Sequence, residues 1–217
     1  MKNKIAVLKQ TPKCPNLRTL FLSQNELQMI SNGFFQFIPH LIVLDLSRNT
    51  GLRALPEGIS QLVSLECFDL SWTGIEELPL ELKALTKLKM LDLSYMRNLR
   101  KLLQHLISSF SKLQIFKMWL PGIQLYPNED NVSNRGNEKL IEELKGVTWL
   151  ILAPNLSTPS IVECAKMEEI LSEGKLGKVV GVLGIPYPKP FLKLESLHLI
   201  CLSKLKSIYW DALPSHV

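Results

Sequence analysis

Two segments of the chain align position by position: residues 54–71 (ALPEGISQLVSLECFDLS) and residues 77–94 (ELPLELKALTKLKMLDLS). Both end on the same alternation of apolar and polar residues, with Phe68 and Leu70 apolar in the first segment, and Leu91 and Leu93 apolar in the second. Successive side chains of a β-strand point to opposite faces, so the alternation predicts a short strand with one buried face. The segments lie 23 residues apart, which indicates a repeating structural unit.

The same L-x-x-L-x-L pattern recurs along the first half of the chain. Its opening leucines are spaced by 24, 24, 23 and 25 residues, at Leu17, Leu41, Leu65, Leu88 and Leu113. The fifth copy is weaker, with Phe116 and Met118 in place of leucine. A polar residue follows the strand in three copies (Asn25, Asn49 and Thr73), where a short side chain can satisfy backbone groups beyond the strand.

One such unit cannot bury its own leucines, so neighbouring units must stack against each other. We therefore predict an α/β repeat fold, a leucine-rich-repeat solenoid shaped as an arc or horseshoe. A parallel sheet should line its concave face, and irregular or short helical segments should form its convex side. Leu46, Leu70 and Leu93 should form one buried row, because they hold the same position in consecutive repeats.

We predict one leucine-rich-repeat domain over residues 1–217, with about seven repeats. Its parts are regular repeats at 14–120, a loop at 121–138, degenerate repeats at 139–171, a loop at 172–190 and a final repeat at 191–210. Pro159 takes the place of a strand leucine, and because proline has no N–H, we expect that strand to be short or distorted. Asn3, Ile5 and Leu8 match Asn25, Leu27 and Ile30, so we expect the chain to begin within a repeat.

Composition narrows the class of protein. The 217 residues are 46% hydrophobic and carry a formal net charge of +5, with Lys and Arg scattered rather than clustered, so nucleic-acid binding is not indicated. No apolar run approaches the roughly 18 to 20 residues of a membrane span. The four cysteines form no C-x-x-C motif, and there is no signal-peptide core. We expect a cytoplasmic protein with free thiols.

Catalytic and cofactor motifs are missing from the sequence. The four histidines do not have the H-E-x-x-H spacing of a metal site, and there is no G-x-S-x-G nucleophile motif. Residues 174–178 (GKLGK) resemble a phosphate loop, but their glycines are too close together and no Ser or Thr follows the lysine. We expect no enzyme activity, no catalytic or metal-binding residues and no cofactor.

The outward positions of the predicted strands fall into columns that run across the repeats. One column has Phe21, Asp45, Asp69, Asp92 and Lys117, the next has four serines and then Trp119, and the third has Gln24, Arg48, Trp72 and Tyr95. The aspartates have two interpretations. They are either framework residues of this repeat type, or an acidic strip flanked by Arg and aromatic residues of the kind enriched at binding hot spots. Both hold together if the framework also binds a partner. The candidate partner-binding residues are Asp45, Arg48, Asp69, Trp72, Asp92, Tyr95, Lys117 and Trp119.

Several segments resemble the repeat region of plant coiled-coil nucleotide-binding leucine-rich-repeat disease-resistance proteins. Besides the two segments quoted first, they are residues 14–25 (CPNLRTLFLSQN), 33–49, 74–79, 166–173 and 191–210. The resemblance implies a protein-binding recognition module of innate immunity that senses a pathogen effector or a guarded host protein. It also leaves an alternative: a truncated regulatory or scaffold protein that packs on the nucleotide-binding module of a related receptor, or a fragment without function. The nucleotide-binding motif of that family is absent from these 217 residues.

Overall fold

The computed structural model describes residues 5–9, 13–100, 106–119, 155–162 and 193–200. Nine short strands lie in these ranges. They are β1 (Val7–Leu8), β2 (Thr19–Phe21), β3 (Met29–Ile30), β4 (Val43–Asp45), β5 (Cys67–Asp69), β6 (Met90–Asp92), β7 (Ile115–Trp119), β8 (Thr158–Val162) and β9 (His198–Ile200). Seven of them form one parallel sheet in the order β2-β4-β5-β6-β7-β8-β9. The predicted solenoid sheet is confirmed.

Strand register follows the repeat period. Leu20, Leu44, Phe68, Leu91 and Phe116 are successive partners across the sheet. Because side chains alternate between the faces, this register fixes which residues point inward and which face the concave side. In a separate two-stranded sheet, β1 pairs with β3 through Leu8 and Ile30, the match that the sequence predicted.

The convex side consists of short helical turns, as expected. They are 3-10 helices at Phe34–Phe37, Glu57–Gln61 and Leu80–Ala84, followed by an α-helix, α1, at Leu106–Ser109. Pro56 and Pro79 immediately precede two of these turns in an extended conformation. Proline is tolerated at a helix start because the first N–H groups have no acceptor within the helix.

The interior is a continuous stack of leucine, isoleucine and phenylalanine side chains. Leu46, Leu70 and Leu93 are fully buried, which confirms the predicted row. Leu17 and Leu20 are only half-buried, whereas Leu44 in the next repeat has no exposed surface. The difference arises because β2 ends the described sheet and has a neighbouring strand on one side only.

Polar side chains close the turns that follow the strands. Asn49 is fully buried, accepts hydrogen bonds from the backbone N–H groups of Asn25 and Leu27, and donates to the carbonyls of Leu22, Leu46 and Ser47. Thr73 donates its hydroxyl to the carbonyl of Leu70 at 2.8 Å. The predicted role of this position, satisfying backbone groups beyond the strand, is confirmed at both residues.

The strand at Pro159 corrects one expectation. It extends over five residues, as long as β7, so the strand is not short, and the expected distortion is limited to its pairing with β9. Pro159 holds the strand position that Leu44 holds in its own repeat. Leu46, two places after Leu44, donates its N–H to the Asp69 carbonyl of the following strand, and N–H groups two places apart in a strand point to the same side. The donor missing at Pro159 is therefore on the β9 side, where pairing begins only at Ser160, while the pairing with β7 is intact. The predicted loops at 121–138 and 172–190 lie outside the described residues.

Candidate protein-binding surface

The acidic column occupies three consecutive strands. Asp45, Asp69 and Asp92 are aligned partners in β4, β5 and β6, and Phe21 and Lys117 continue the column at its two ends. Each aspartate accepts a hydrogen bond through Oδ1 from a backbone N–H two residues later. These bonds come from Ser47, Ser71 and Ser94, at 2.8, 2.8 and 2.9 Å. The aspartates thus stabilise the ends of their own strands, which supports the framework interpretation.

The central aspartate carries an electrostatic cost. Partial burial raises the pKa of Asp69 above its ordinary value, and the neighbouring Asp92 and Asp45 carboxylates raise it further, while hydrogen bonds from Ser71 oppose the change. Asp92 has a cation close by, since Lys117 Nζ lies 3.7 Å from Asp92 Oδ2. Among the described residues, neither Asp45 nor Asp69 forms an ion pair.

The third outward column, which follows the serine column along each repeat, has a backbone conformation that the sequence did not reveal. Arg48, Trp72 and Tyr95 have φ angles of 58°, 59° and 61°, and Gln24 has 57°. This left-handed conformation costs a residue other than glycine about 1–2 kcal/mol. Strained backbone of this kind is found at functional sites, where the surrounding structure holds it in place. Here the ladder of N–H bonds to the following strand holds it, for example from Trp72 to the Ser94 carbonyl at 2.9 Å.

Three aromatic rings form a stack along the rim of the concave face, which we call the aromatic ladder (Trp72, Tyr95 and Trp119). The Trp72 and Tyr95 rings are stacked with centroids 4.0 Å apart, and Tyr95 and Trp119 are tilted by 45° at 3.9 Å. All three side chains remain half-exposed. The Arg97 guanidinium lies 5.8 Å from the centre of the Trp72 ring, within range of a cation–π contact.

The predicted site residues fall into two groups. The structure brings Trp72, Tyr95 and Trp119 together, although the sequence placed Trp119 one column away, and it aligns the aspartates with Lys117. Arg48 is exposed and lies at the end of the aromatic ladder. There it borders an open groove of about 580 Å³ with Trp72; the other lining residues are Gln24, Glu26, Gln28, Thr50 and Gly51.

Sequence reasoning missed an apolar row on the same face. Val43, Cys67, Met90 and Ile115 are aligned partners in β4 to β7, and each is half-buried. Burial raises the pKa of the Cys67 thiol, so Cys67 is neutral and contributes to the row as a small apolar group. The period-two pattern contained the signal, because these residues hold the outward position just before each buried strand residue.

Two further observations concern the part of the chain that the structure describes. It contains no group of three or more His, Cys, Asp or Glu side chains arranged to hold a metal ion. Its helices are all too short to cross a membrane.

Known proteins contain the same repeat, and some are similar in sequence to this chain along most of its length. The leucine-rich-repeat family profile matches residues 15–75. Probable disease resistance protein At5g47260 of Arabidopsis thaliana is 30% identical over 95% of this chain and 31% of its own length. Disease resistance protein SUMM2 of the same plant is 33% identical over 98% of this chain and 33% of its own length. Among solved structures, the functional domain of InlJ from Listeria monocytogenes has a TM-score of 0.48 at 14% identity, covering 95% of this chain and 40% of that one.

The in-register parallel sheet, the buried leucine rows and the profile match define a leucine-rich-repeat solenoid. The similarity to plant disease resistance proteins extends over nearly the whole chain and confirms the resemblance found in the sequence. The chain spans about a third of the length of these relatives. The alignment with SUMM2 runs over 306 positions against the 217 residues here, so the relative has residues between the matched segments that this chain lacks.

Proposed function

We propose that this chain is a recognition module of plant innate immunity, which binds a pathogen effector or a guarded host protein in the cytoplasm. It acts by holding its partner against the concave face of the sheet and has no enzyme activity. The similarity to disease resistance proteins supports the biological role. Leucine-rich repeats stack into a rigid curved surface, which suits the binding of a protein.

The observation that carries the proposal is the aromatic ladder beside Arg48. Aromatic and arginine side chains provide most of the energy of protein interfaces, and here three rings are held half-exposed on a rigid sheet. Their conformation is fixed before a partner arrives, so little side-chain entropy is lost on binding. The aspartate column beside them favours a partner with basic groups and speeds its approach.

The test begins with affinity purification of the intact chain from plant cytosol, followed by binding kinetics with the partner recovered. Trp72→Ala or Tyr95→Ala should weaken binding by about 1–3 kcal/mol, the range typical of interface hot spots. Asp69→Asn should mainly slow association, and the difference from the parent chain should shrink in high salt. Leu80→Ala is the matched control, because Leu80 is an exposed apolar residue of the convex side.

The identity of the partner distinguishes the two functions. An effector or a host protein supports recognition. A related receptor, bound through its nucleotide-binding module, supports the scaffold, and the half-buried Leu17 and Leu20 at the end of the described sheet favour such packing. The predicted loop, residues 121–138, can be tested as the alternative site. If the Trp72, Tyr95 and Asp69 variants bind like the parent chain while changes in this loop abolish binding, the loop is the binding site.

A further inference from the structure

The concave face has an acidic floor between two apolar borders. The apolar row (Val43, Cys67, Met90 and Ile115) lies two residues before the acidic column along each strand. On the far side of the column, Trp119 of the aromatic ladder lies two residues beyond Lys117 in β7, and Trp72 and Tyr95 lie three residues beyond Asp69 and Asp92. At about 3.3 Å per residue, the Cα atoms of Ile115 and Trp119 in β7 are roughly 13 Å apart, a width similar to the diameter of about 10–12 Å of an α-helix with its side chains.

The spacing along the face also fits a helix. Neighbouring strands lie about 4.8 Å apart, so equivalent side chains recur at that interval from repeat to repeat. An α-helix lying across the strands advances about 5.4 Å per turn, and so presents one contact residue to each strand. An extended chain presents a side chain to the same face only every 6.6 Å or so, and it loses register with the repeats within two strands.

Charge selects the kind of helix. Three aspartates lie in adjacent strands, and among the described residues only Asp92 has a cation within ion-pair distance. Like charges on neighbouring strands are destabilising, and a cation supplied by a partner relieves that repulsion. The apolar row borders all three aspartates, and the aromatic ladder lies beyond the serines that follow Asp69 and Asp92, so the basic residues of the helix need apolar neighbours.

We infer that the concave face binds an amphipathic α-helix of the partner protein, whose contact face presents Lys or Arg to Asp45 and Asp69 between flanking apolar residues. This inference rests on the proposed function and specifies the chemistry of the partner. It uses helix-in-groove recognition, in which contact residues three or four positions apart meet the groove.

The probes are three synthetic peptides of equal length, measured by titration calorimetry on the whole chain. The first is an Ala-based helix with Leu and Lys on one face, the second has Glu in place of Lys, and the third has the Leu–Lys sequence with central prolines that prevent a helix. We expect the first peptide to bind at least about tenfold more tightly than either of the others, a difference of about 1.4 kcal/mol.

Two protein variants test the contact residues. The double variant Asp45→Asn/Asp69→Asn retains an oxygen acceptor for the turn N–H groups, and it should weaken binding of the Leu–Lys helix by about tenfold. Met90→Ser should also weaken it, through loss of apolar contact. The control is Glu57→Gln/Glu81→Gln, which removes the same charge from the convex turns and should leave binding unchanged.

Three outcomes would each overturn the inference. They are equal binding of the acidic or the proline-containing peptide, full binding of the Leu–Lys helix by the aspartate variant, and no binding of any peptide. The proposed function has a separate criterion, the sensitivity of a natural partner to Trp72→Ala. A partner that depends on Trp72 but binds through loops therefore refutes the helix and leaves the recognition function in place.

Discussion

Asn49 shows how one residue supports two repeats. Its side chain is fully buried, yet its oxygen accepts two backbone N–H groups and its amide donates to three carbonyls. Each buried polar group left without a partner costs about 1–3 kcal/mol, so this residue stabilises the turn that carries Arg48. Thr73 supports the next turn through a single bond, and in the following repeat the equivalent Met96 is buried as an apolar residue.

Asp69 gives a prediction about pH. Its folded-state pKa lies above the ordinary value of 3.8, so the stability that its protonation provides is present below that value and is lost as the pH rises through the folded-state pKa. At neutral pH the charged Asp69 is therefore unfavourable. Asp69→Asn keeps the acceptor for the Ser71 N–H, and it should raise the free energy of unfolding by about 0.2–1 kcal/mol, the size of a like-charge cross-strand effect.

The measurement is denaturant unfolding of the parent chain and the variant from neutral pH down to about pH 3.5, below the ordinary carboxyl value. The advantage of the variant should disappear at the acidic end. Glu57→Gln on the convex side is the control and should change stability less. A variant that is less stable than the parent at neutral pH would show that the hydrogen bond to Ser71 requires the charged carboxylate.

At the scale of the element, the turn after the strand has an unfavourable backbone conformation, which hydrogen bonds between stacked repeats hold in place. Arg48 has a φ of 58°, a region that glycine enters without steric cost. Arg48→Gly should therefore be more stable than Arg48→Ala by about 1 kcal/mol, because alanine retains the strain and has lost the same side chain. Thermal unfolding of the two variants compares them directly. Equal midpoints would show that the turn relaxes to another conformation when the arginine is removed.

At Trp72 the glycine variant should again be more stable than the alanine variant by about 1 kcal/mol, but both should lose more stability relative to the parent chain than the Arg48 variants do, since the Trp72 ring also stacks on Tyr95 at 4.0 Å. Aromatic pairs contribute about 0.5–1.5 kcal/mol beyond their burial, so either substitution at Trp72 loses that contribution. The turn thus combines an unfavourable backbone conformation with favourable ring stacking, and the two are of similar size.

For the whole molecule, stability depends on how closely consecutive repeats approach. A Cβ added at Gly74 would lie 2.2 Å from the carbonyl oxygen of Thr50 in the preceding repeat. Gly74→Ala should therefore force two turns apart and cost about 1–3 kcal/mol, as overpacking does elsewhere. Gly33→Ala is the matched control, because its nearest neighbour is the Gln36 side-chain oxygen at 4.0 Å. Chemical unfolding of both variants tests this; similar stability would mean that the repeats separate at little cost.

The sequence by itself determined the repeat, the parallel sheet and the buried leucine row. It also determined that Asp45, Asp69 and Asp92 align, because a fixed period and the alternation of side chains leave one register that buries every leucine. The convex helical turns and the role of Asn49 followed from the same pattern. These features depend on the order of apolar and polar residues, which can be read from a single sequence.

Only the tertiary structure decided how the candidate surface is built. The sequence pattern places Trp119 in the serine column, yet its ring contacts Tyr95, because a large side chain in one repeat reaches the adjacent column of the neighbouring repeat. The positive φ angles arise from bonds between turns that lie a whole repeat apart in sequence. The effect of Pro159 depended on which neighbouring strand its missing donor would face. Distances between repeats set all three features, and a one-dimensional pattern contains no such distances.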